Sequence, residues 1–445
     1  MSGSLENRSS LRKLEFPLCS QEALNRLYSC LSEATLRASP KASSSATLSP
    51  KETELVLEII AEFILFTKSK SKRLSSVQEL QLMQVITDFF QSKAIDIPLD
   101  RATDDPTHHT YFSQFTVLNN LFNFLFMEPT SSGSSKSDDK LSYRMRVLFK
   151  LTSITMGLKN STMLKCLGSW LHREGPLSDR GLQLCEAVLH EFVLLVPDPV
   201  DALKSLPIIA PLLAAHFMTS LCEIYSMDLP LRAKPSATKT YSSTIIQSAS
   251  CKPNTPPKCV VDLVTCWMGE GGDQLLPAQE ENRLLPGMAP ALESAACLGT
   301  NSTVPLMGLA KWTCLQPIVA KVQGSPDSVT DHETYARLHV GILECLTDAH
   351  QKRRLMRNDI VSTKKVVVLV NEIRVALDNC QDEGDNLPAP VDCSPTQECL
   401  DRLGQFLNCL FTIKCVHGKT DEVVSTLRHL PENNMISILV NQLRP

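Results

Sequence analysis

The sequence is poor in aromatic residues, in glycine and in net charge, and each shortage excludes something. Aromatics make up 5% of its 445 residues, with Trp170, Trp267 and Trp312 the only tryptophans. Base-stacking surfaces for single-stranded nucleic acid need aromatic rings set among cations, and this composition offers no such run. Only 17 glycines occur, and none forms a G-x-x-x-x-G-K or G-x-G-x-x-G arrangement, whose glycines let backbone amides close on a phosphate. H-E-x-x-H pairs, a G-x-S-x-G elbow and the kinase motif set are missing as well. The charge is nearly balanced, 44 Lys plus Arg against 48 Asp plus Glu for a net charge of -4. Autonomous binding to nucleic acid or to an anionic membrane therefore has no electrostatic basis.

Long apolar runs are also lacking. The most apolar stretch, residues 206–218, is interrupted by Pro207, Pro211 and His216, well short of the roughly 20 apolar residues of a membrane span. Met1-Ser2-Gly3-Ser4-Leu5-Glu6 has neither the basic start nor the apolar core of a signal peptide. The expectation is a chain neither secreted nor membrane-embedded, in a reducing compartment.

Cysteine, by contrast, is plentiful. The sixteen cysteines are scattered singly through apolar segments such as Leu164-Lys165-Cys166-Leu167, which reads as reduced core residues rather than a disulfide framework. Without a secretory route, the sequons Asn160-Ser161-Thr162 and Asn301-Ser302-Thr303 are not expected to carry sugar. The nearest approach to a metal site is Cys393, Cys399, Cys409, Cys415 and His417, with cysteine gaps of six, ten and six positions. Zinc sites usually present two thiolates from one short turn, so core packing is the stronger reading, and no metal or cofactor is expected. Cys259 and Cys266, seven apart on one helical face, read the same way. His108-His109 falls in the polar stretch Asp104-Asp105-Pro106-Thr107 and reads as solvated loop. His339 reads as a hydrogen-bonded helix residue rather than a general base. Two basic clusters, Lys68-Ser69-Lys70-Ser71-Lys72-Arg73 and Lys352-Arg353-Arg354 with Arg357, suit solvated inter-helix turns, with an RNA, partner or nuclear-import contact as the sharper alternative.

Helix signals recur from end to end. Ser49-Pro50-Lys51-Glu52 combines an N-cap serine, a proline at the first helical position and a capping-box glutamate, and Leu55, Ile59, Phe63 and Phe66 follow at helical spacing. Ser76-Val77-Gln78-Glu79 opens a second helix with Leu82, Val85, Ile86 and Phe89 on one face. Asp198-Pro199 and Ser394-Pro395-Thr396-Gln397 have the form of two further starts. The pattern predicts helices near residues 20–37, 50–67, 76–92, 111–127, 141–158, 161–173, 178–196, 199–227, 258–269, 303–322, 331–354, 358–379, 395–416, 420–429 and 431–443. Val366-Val367-Val368-Leu369-Val370 is the best strand candidate, yet its polar flanks favour a buried helical segment.

The fold class is therefore all-α, either an irregular α-solenoid of HEAT-like helical pairs or a set of stacked helical domains. No consensus repeat is visible. Polar breaks organise the chain into a disordered start at 1–19, an N-terminal helical block at 20–127, a linker at 128–140, a middle block at 141–227, a Pro/Ser/Thr-rich loop at 228–257 and a C-terminal block at 258–445.

Eight collinear segments carry a family resemblance. They are Arg73-Leu74-Ser75-Ser76-Val77-Gln78-Glu79-Leu80-Gln81-Leu82 with Phe89-Phe90-Gln91; Cys166-Leu167-Gly168-Ser169-Trp170-Leu171; Leu263-Val264-Thr265-Cys266-Trp267; and Val304-Pro305-Leu306-Met307-Gly308-Leu309-Ala310-Lys311-Trp312. Tyr335-Ala336-Arg337-Leu338-His339, Leu369-Val370-Asn371-Glu372-Ile373, Leu400-Asp401-Arg402-Leu403 and Leu430-Pro431-Glu432-Asn433-Asn434-Met435 complete the set. Together they resemble the Integrator complex subunit 15 family, as a divergent member. Residues 1–50, the acidic stretch near Asp104 and residues 228–257 do not share the likeness. Longer members carry a Pro- and His-rich tail, whereas this sequence stops at Pro445.

The resemblance implies a helical, non-catalytic nuclear subunit of an assembly that acts with RNA polymerase II on small nuclear RNA 3′ ends and promoter-proximal transcripts. RNA cleavage and dephosphorylation there belong to other subunits. It further implies an adaptor joining the module of Integrator subunits 10, 13 and 14 to the rest, with no small-molecule substrate. Two other classes stand beside this one: an α-solenoid adaptor of a cytosolic system, and an enzyme with a cryptic site using Cys415 and His417.

Overall fold

A computed structural model describes residues 8–37, 48–67, 74–93, 106–126, 138–227, 254–270, 304–323, 328–351, 361–381 and 394–444. The chain divides into two units. Unit 1 comprises Met1–Pro197, Ile209–His216 and Glu280–Gly299; unit 2 comprises Asp198–Ile208, Phe217–Gln279 and Thr300–Pro445.

Unit 1 is built from α1 (Arg8–Arg12), α2 (Leu18–Arg37), α3 (Pro50–Ile59), α4 (Ser76–Ser92), α5 (Pro106–Phe126), α6 (Asp138–Leu158), α7 (Ser161–Glu174) and α8 (Asp179–Val188). Both α3 and α8 run on into a single π-turn, Ile60–Ile64 and Leu189–Val193. The chain continues through α9 (Pro199–Leu203), α10 (Leu206–Ile209) and α11 (Pro211–Ile224). Unit 2 adds α12 (Lys258–Glu270), α13 (Val304–Gln323), α14 (Ser328–Gln351), α15 (Thr363–Gln381), α16 (Pro395–Thr412), α17 (Asp421–Leu427) and α18 (Asn434–Gln442).

The starts follow the sequence chemistry. Ser49 accepts from the Glu52 amide at 3.3 Å while its own amide donates to the Glu52 carboxylate at 2.9 Å, a closed capping box. In α4 the cap is Ser75 rather than Ser76, and Gln78 is its reciprocal partner. Asp198 caps α9 by accepting from the Asp201 amide at 3.0 Å, with Pro199 at the first helical position. Ser394 also precedes a first-position proline, but its side chain makes no cap hydrogen bond.

The all-α class holds, with helices packed in pairs. In unit 1, α2 lies against α4 and α5, α5 against α7, and α6 against α8. In unit 2, α13 is central, touching α14, α15 and α16, while α12 pairs with α14, α16 with α18 and α15 with α17. The valine run 366–370 is helical, inside α15. One short parallel pairing accompanies the helices, β1 (Val361–Ser362) with β2 (Val416–His417).

Several expectations need correction. The helix predicted at 199–227 is three helices, because Pro207 and Pro211 interrupt the ladder of amide donors. The helix predicted from 358 begins at Thr363, since Val361 and Ser362 pair with β2 instead. The helix predicted to 416 stops at Thr412 for the same reason, and the one predicted from 431 starts at Asn434, where Asn433 supplies the cap. Arg8–Arg12 is helical within the stretch expected to be disordered, with Leu11 buried. The backbone at His108-His109 is helical, not loop, because Pro106 stands at the first position of α5, where its missing N–H costs nothing.

Candidate functional site

Three residues that the sequence singles out, Cys399, Cys415 and His339, are buried. Cys399 is fully buried in α16, and Cys415 is buried beyond the end of that helix with Sγ 3.3 Å from the Leu410 carbonyl. Burial, then the neighbouring Cys409, pushes the Cys415 thiol up to about 12, while burial also raises Cys409. His417 is exposed on β2, and Cys393 lies outside the described residues. A thiol so shifted stays protonated at neutral pH and is a poor nucleophile. The described residues contain no group of three or more His, Cys, Asp or Glu placed to hold a metal. Cys259 and Cys266 are half-buried on α12. Both basic clusters, 68–73 and 352–357, lie outside the described residues. His339 is the hydrogen-bonded helix residue that its context predicts: it is buried, its Nε2 is 3.0 Å from Gln405 Oε1, and burial lowers its basicity.

What the structure brings together is a polar cluster in unit 2 that sequence reasoning missed. Arg402, on α16, is buried with only 7% of its side chain exposed. Its guanidinium donates to the Thr313 carbonyl at 2.7 Å and to Gln316 Oε1 at 3.4 Å, both on α13. Its other nitrogen lies 2.6 Å from Glu398 Oε1, and His332 of α14 meets the same oxygen at 2.6 Å. The reason for the first contact lies in Pro317, inside α13. A residue at that position would normally donate its amide to the carbonyl four residues earlier, that of Thr313, and proline has no amide to give. Arg402 supplies the missing donor. The available signals were an intrahelical proline and a Glu-x-x-x-Arg pair, and nothing in the sequence connects the two.

Further ties hold the same unit. Asn433 donates to Asp401 at 2.8 Å and to Gln397 at 2.9 Å while its oxygen caps α18 by accepting from the Ile436 amide at 3.1 Å. Trp267 donates to the Leu203 carbonyl at 2.9 Å and Trp312 to the Tyr225 carbonyl at 2.6 Å. These polar groups are satisfied by one another and read as structural cement.

The described surface offers apolar side chains that packing does not use. Val77 and Leu80 stand exposed one turn apart on α4, and Val368 and Val375 two turns apart on α15. Exposed apolar side chains at helical spacing are the usual material of helix-to-helix recognition.

A family model described as Integrator complex subunit 15 matches residues 5–432, so the match takes in residues 5–50, the stretch near Asp104 and residues 228–257, which were expected to lack the likeness. The chain belongs to the Integrator complex subunit 15 family. Relatives agree in name and extent. The chain is 23% identical over 404 residues to "Integrator complex subunit 15" of Danio rerio, covering 86% of this chain and 71% of that protein. It is 23% identical over 411 residues to the Mus musculus protein of that name, with 86% and 77% covered. To the Drosophila melanogaster protein of that name it is 22% identical over 447 residues, with 99% of each covered. Of the residues that carry the family likeness, Trp170, Trp267 and Trp312 are fully buried, as are Leu263, Leu338, Ile373 and Leu400, whereas Val77 and Leu80 are exposed.

Proposed function

We propose that this chain is a non-catalytic scaffold subunit of the Integrator complex, acting in the nucleus as an adaptor. Its role is to link the module of Integrator subunits 10, 13 and 14 to the rest of the complex during small nuclear RNA 3′-end processing and RNA polymerase II transcription regulation. The observation that carries this reading is the family match over residues 5–432.

Physical features support it. Sequence motifs for catalysis are wanting, and the buried thiols of Cys166, Cys222, Cys314 and Cys415 are all raised by desolvation, a packing rather than a reactive setting. A net charge of -4 gives no reason for direct RNA binding. Among the described residues, no helix is long and apolar enough to cross a membrane.

The test is purification of the tagged chain from its native cells in mild salt, with co-purifying proteins identified by mass spectrometry. Recovery of Integrator subunits, with 10, 13 and 14 enriched, is expected. Their clean absence, where a known Integrator subunit succeeds as bait, overturns the reading. Recovery of the complex without that enrichment would retain membership and overturn the specific link.

A further inference from the structure

Two histidines of unit 1, on helices that are distant in sequence, meet ring to ring. His172 of α7 and His216 of α11 both belong to that unit. Nδ1 of His172 lies 2.7 Å from Nε2 of His216, with the ring centroids 4.9 Å apart and tilted by 32°. One turn earlier, the same seam is closed by Gly168 under Leu213: a Cβ on Gly168 would stand 2.9 Å from the Leu213 amide nitrogen. The steps 168 to 172 and 213 to 216 each advance about one helical turn. The glycine lets the two backbones approach, and the imidazoles then face each other directly.

The geometry fixes the protons. Two facing ring nitrogens at hydrogen-bond distance need one donor and one acceptor. Nε2 of His172 is buried without a hydrogen-bond partner among the described residues. The cheaper tautomer has His172 donating from Nδ1, which leaves a bare lone pair at Nε2 rather than a bare N–H. A further proton has no good place to go. On Nε2 of His216 it would set two donors against each other; on Nε2 of His172 it would create a buried, unpartnered imidazolium N–H.

Charged groups on α7 and on the helices packed against it include Asp88 on α4, Lys150 on α6, Arg180 and Glu186 on α8, and Lys165, Arg173 and Glu174 on α7 itself. Burial lowers the basicity of His172, and burial, then the His172 charge, lower that of His216 to about 3. The described part of α5, residues 114–126, and the unit 1 part of α11 carry no charged side chain. Glu174 is already engaged by Arg180 at 3.5 Å.

We propose that the His172–His216 contact is a proton-sensitive latch within unit 1, holding α7 to α11 while both rings are neutral and releasing them when either ring is protonated. Opened or unfolded, each ring titrates near the ordinary histidine value of about 6.5; closed, each binds its proton only at lower pH. The open state therefore binds more protons, so the latch is fully stabilising above about pH 6.5 and weakens as the pH falls below it.

The test is amide hydrogen exchange of the full chain at pH 7.5 and pH 5.5, corrected for intrinsic rates and read on peptides from α7 and α11. Opening of these segments should rise about tenfold if one ring takes a proton on release and about a hundredfold if both do. The double variant His172→Asn with His216→Gln keeps a neutral donor and acceptor and should lose that acid response. Unchanged protection in the unsubstituted chain, or an equal acid response in the double variant, overturns the latch. Should the double variant fail to fold, C2 hydrogen exchange of the histidine rings in the unsubstituted chain decides. Midpoints well below 6.5 for His172 and His216 are expected, and midpoints at the ordinary histidine value overturn the proposal.

Discussion

Arg402 donates at 2.7 Å to the Thr313 carbonyl, the one that Pro317 leaves without its helical donor. A proline in one helix and an arginine in another thus form a complementary pair, and their substitutions should couple. Arg402→Leu leaves the Thr313 carbonyl and the Glu398 carboxylate short of a partner and should cost about 3 kcal/mol. Pro317→Ala restores an amide able to serve that carbonyl. In its presence the cost of Arg402→Leu should fall by about 1 kcal/mol, a coupling within the range for contacting residues. Urea unfolding of the two single variants and the double variant measures it; strictly additive costs would mean that the arginine does not stand in for the missing amide.

Gly418 lies at φ +114° beside the β1–β2 pairing, and a Cβ there would come within 3.3 Å of the Thr363 methyl. Strain and crowding act together, so Gly418→Ala should destabilise by about 2–3 kcal/mol. His417→Ala, one residue earlier and exposed, should stay within about 0.5 kcal/mol. Thermal unfolding of the two variants side by side gives the contrast.

Trp312 joins packing to a hydrogen bond, its Nε1–H meeting the Tyr225 carbonyl at 2.6 Å in a fully buried setting. Trp312→Phe keeps much of the apolar bulk but orphans that carbonyl and opens a void, for an expected loss of about 2–4 kcal/mol. Val77→Ala on the exposed face of α4 should alter stability by less than about 0.5 kcal/mol. If Val77 serves a partner, its substitution weakens recovery of Integrator subunits while leaving the urea midpoint in place.

Cys314 and Cys415 are pushed up to about 12 chiefly by burial, and burial raises Cys166 and Cys222 as well. Iodoacetamide at pH 8 should leave these four unmodified in the folded chain and label them after denaturation, as read by peptide mass spectrometry. Rapid native labelling of Cys415 would revive it as a nucleophile beside His417.

How much of this was legible in the sequence depends on the range of the interaction. Capping boxes, first-position prolines and the apolar faces of α3 and α4 are local devices, and they place Ser49–Glu52 and the helices near 50–67 and 76–92 correctly. The breaks at Pro207 and Pro211 were also visible, yet the surrounding apolar density read as one helix. The β1–β2 pairing escaped notice because two residues carry no period, and what pairs them is the end of α16, some fifty positions away. Arg402 and His172 were invisible for a similar reason: in a row of letters, a buried arginine and a solvated one look alike until Thr313 or His216 is brought beside it.

Asn160 offers a last consequence. Its carbonyl oxygen accepts from the Met163 amide at 3.2 Å to cap α7, and its amide nitrogen donates to the Thr87 carbonyl of α4 at 3.4 Å. Asn-Ser sequences age by deamidation, in which the following backbone nitrogen attacks the side-chain carbonyl to close a five-membered ring. Here that carbonyl is held by the cap and Ser161 is fixed in the first turn of a helix, so the folded chain shelters Asn160 from its own chemistry. An aspartate arising there after partial unfolding would still cap α7, but it would turn a carboxylate toward the Thr87 carbonyl. The fold therefore acts as a preservative at Asn160, and damage at that position would record how often α7 and α4 have parted during the life of the molecule.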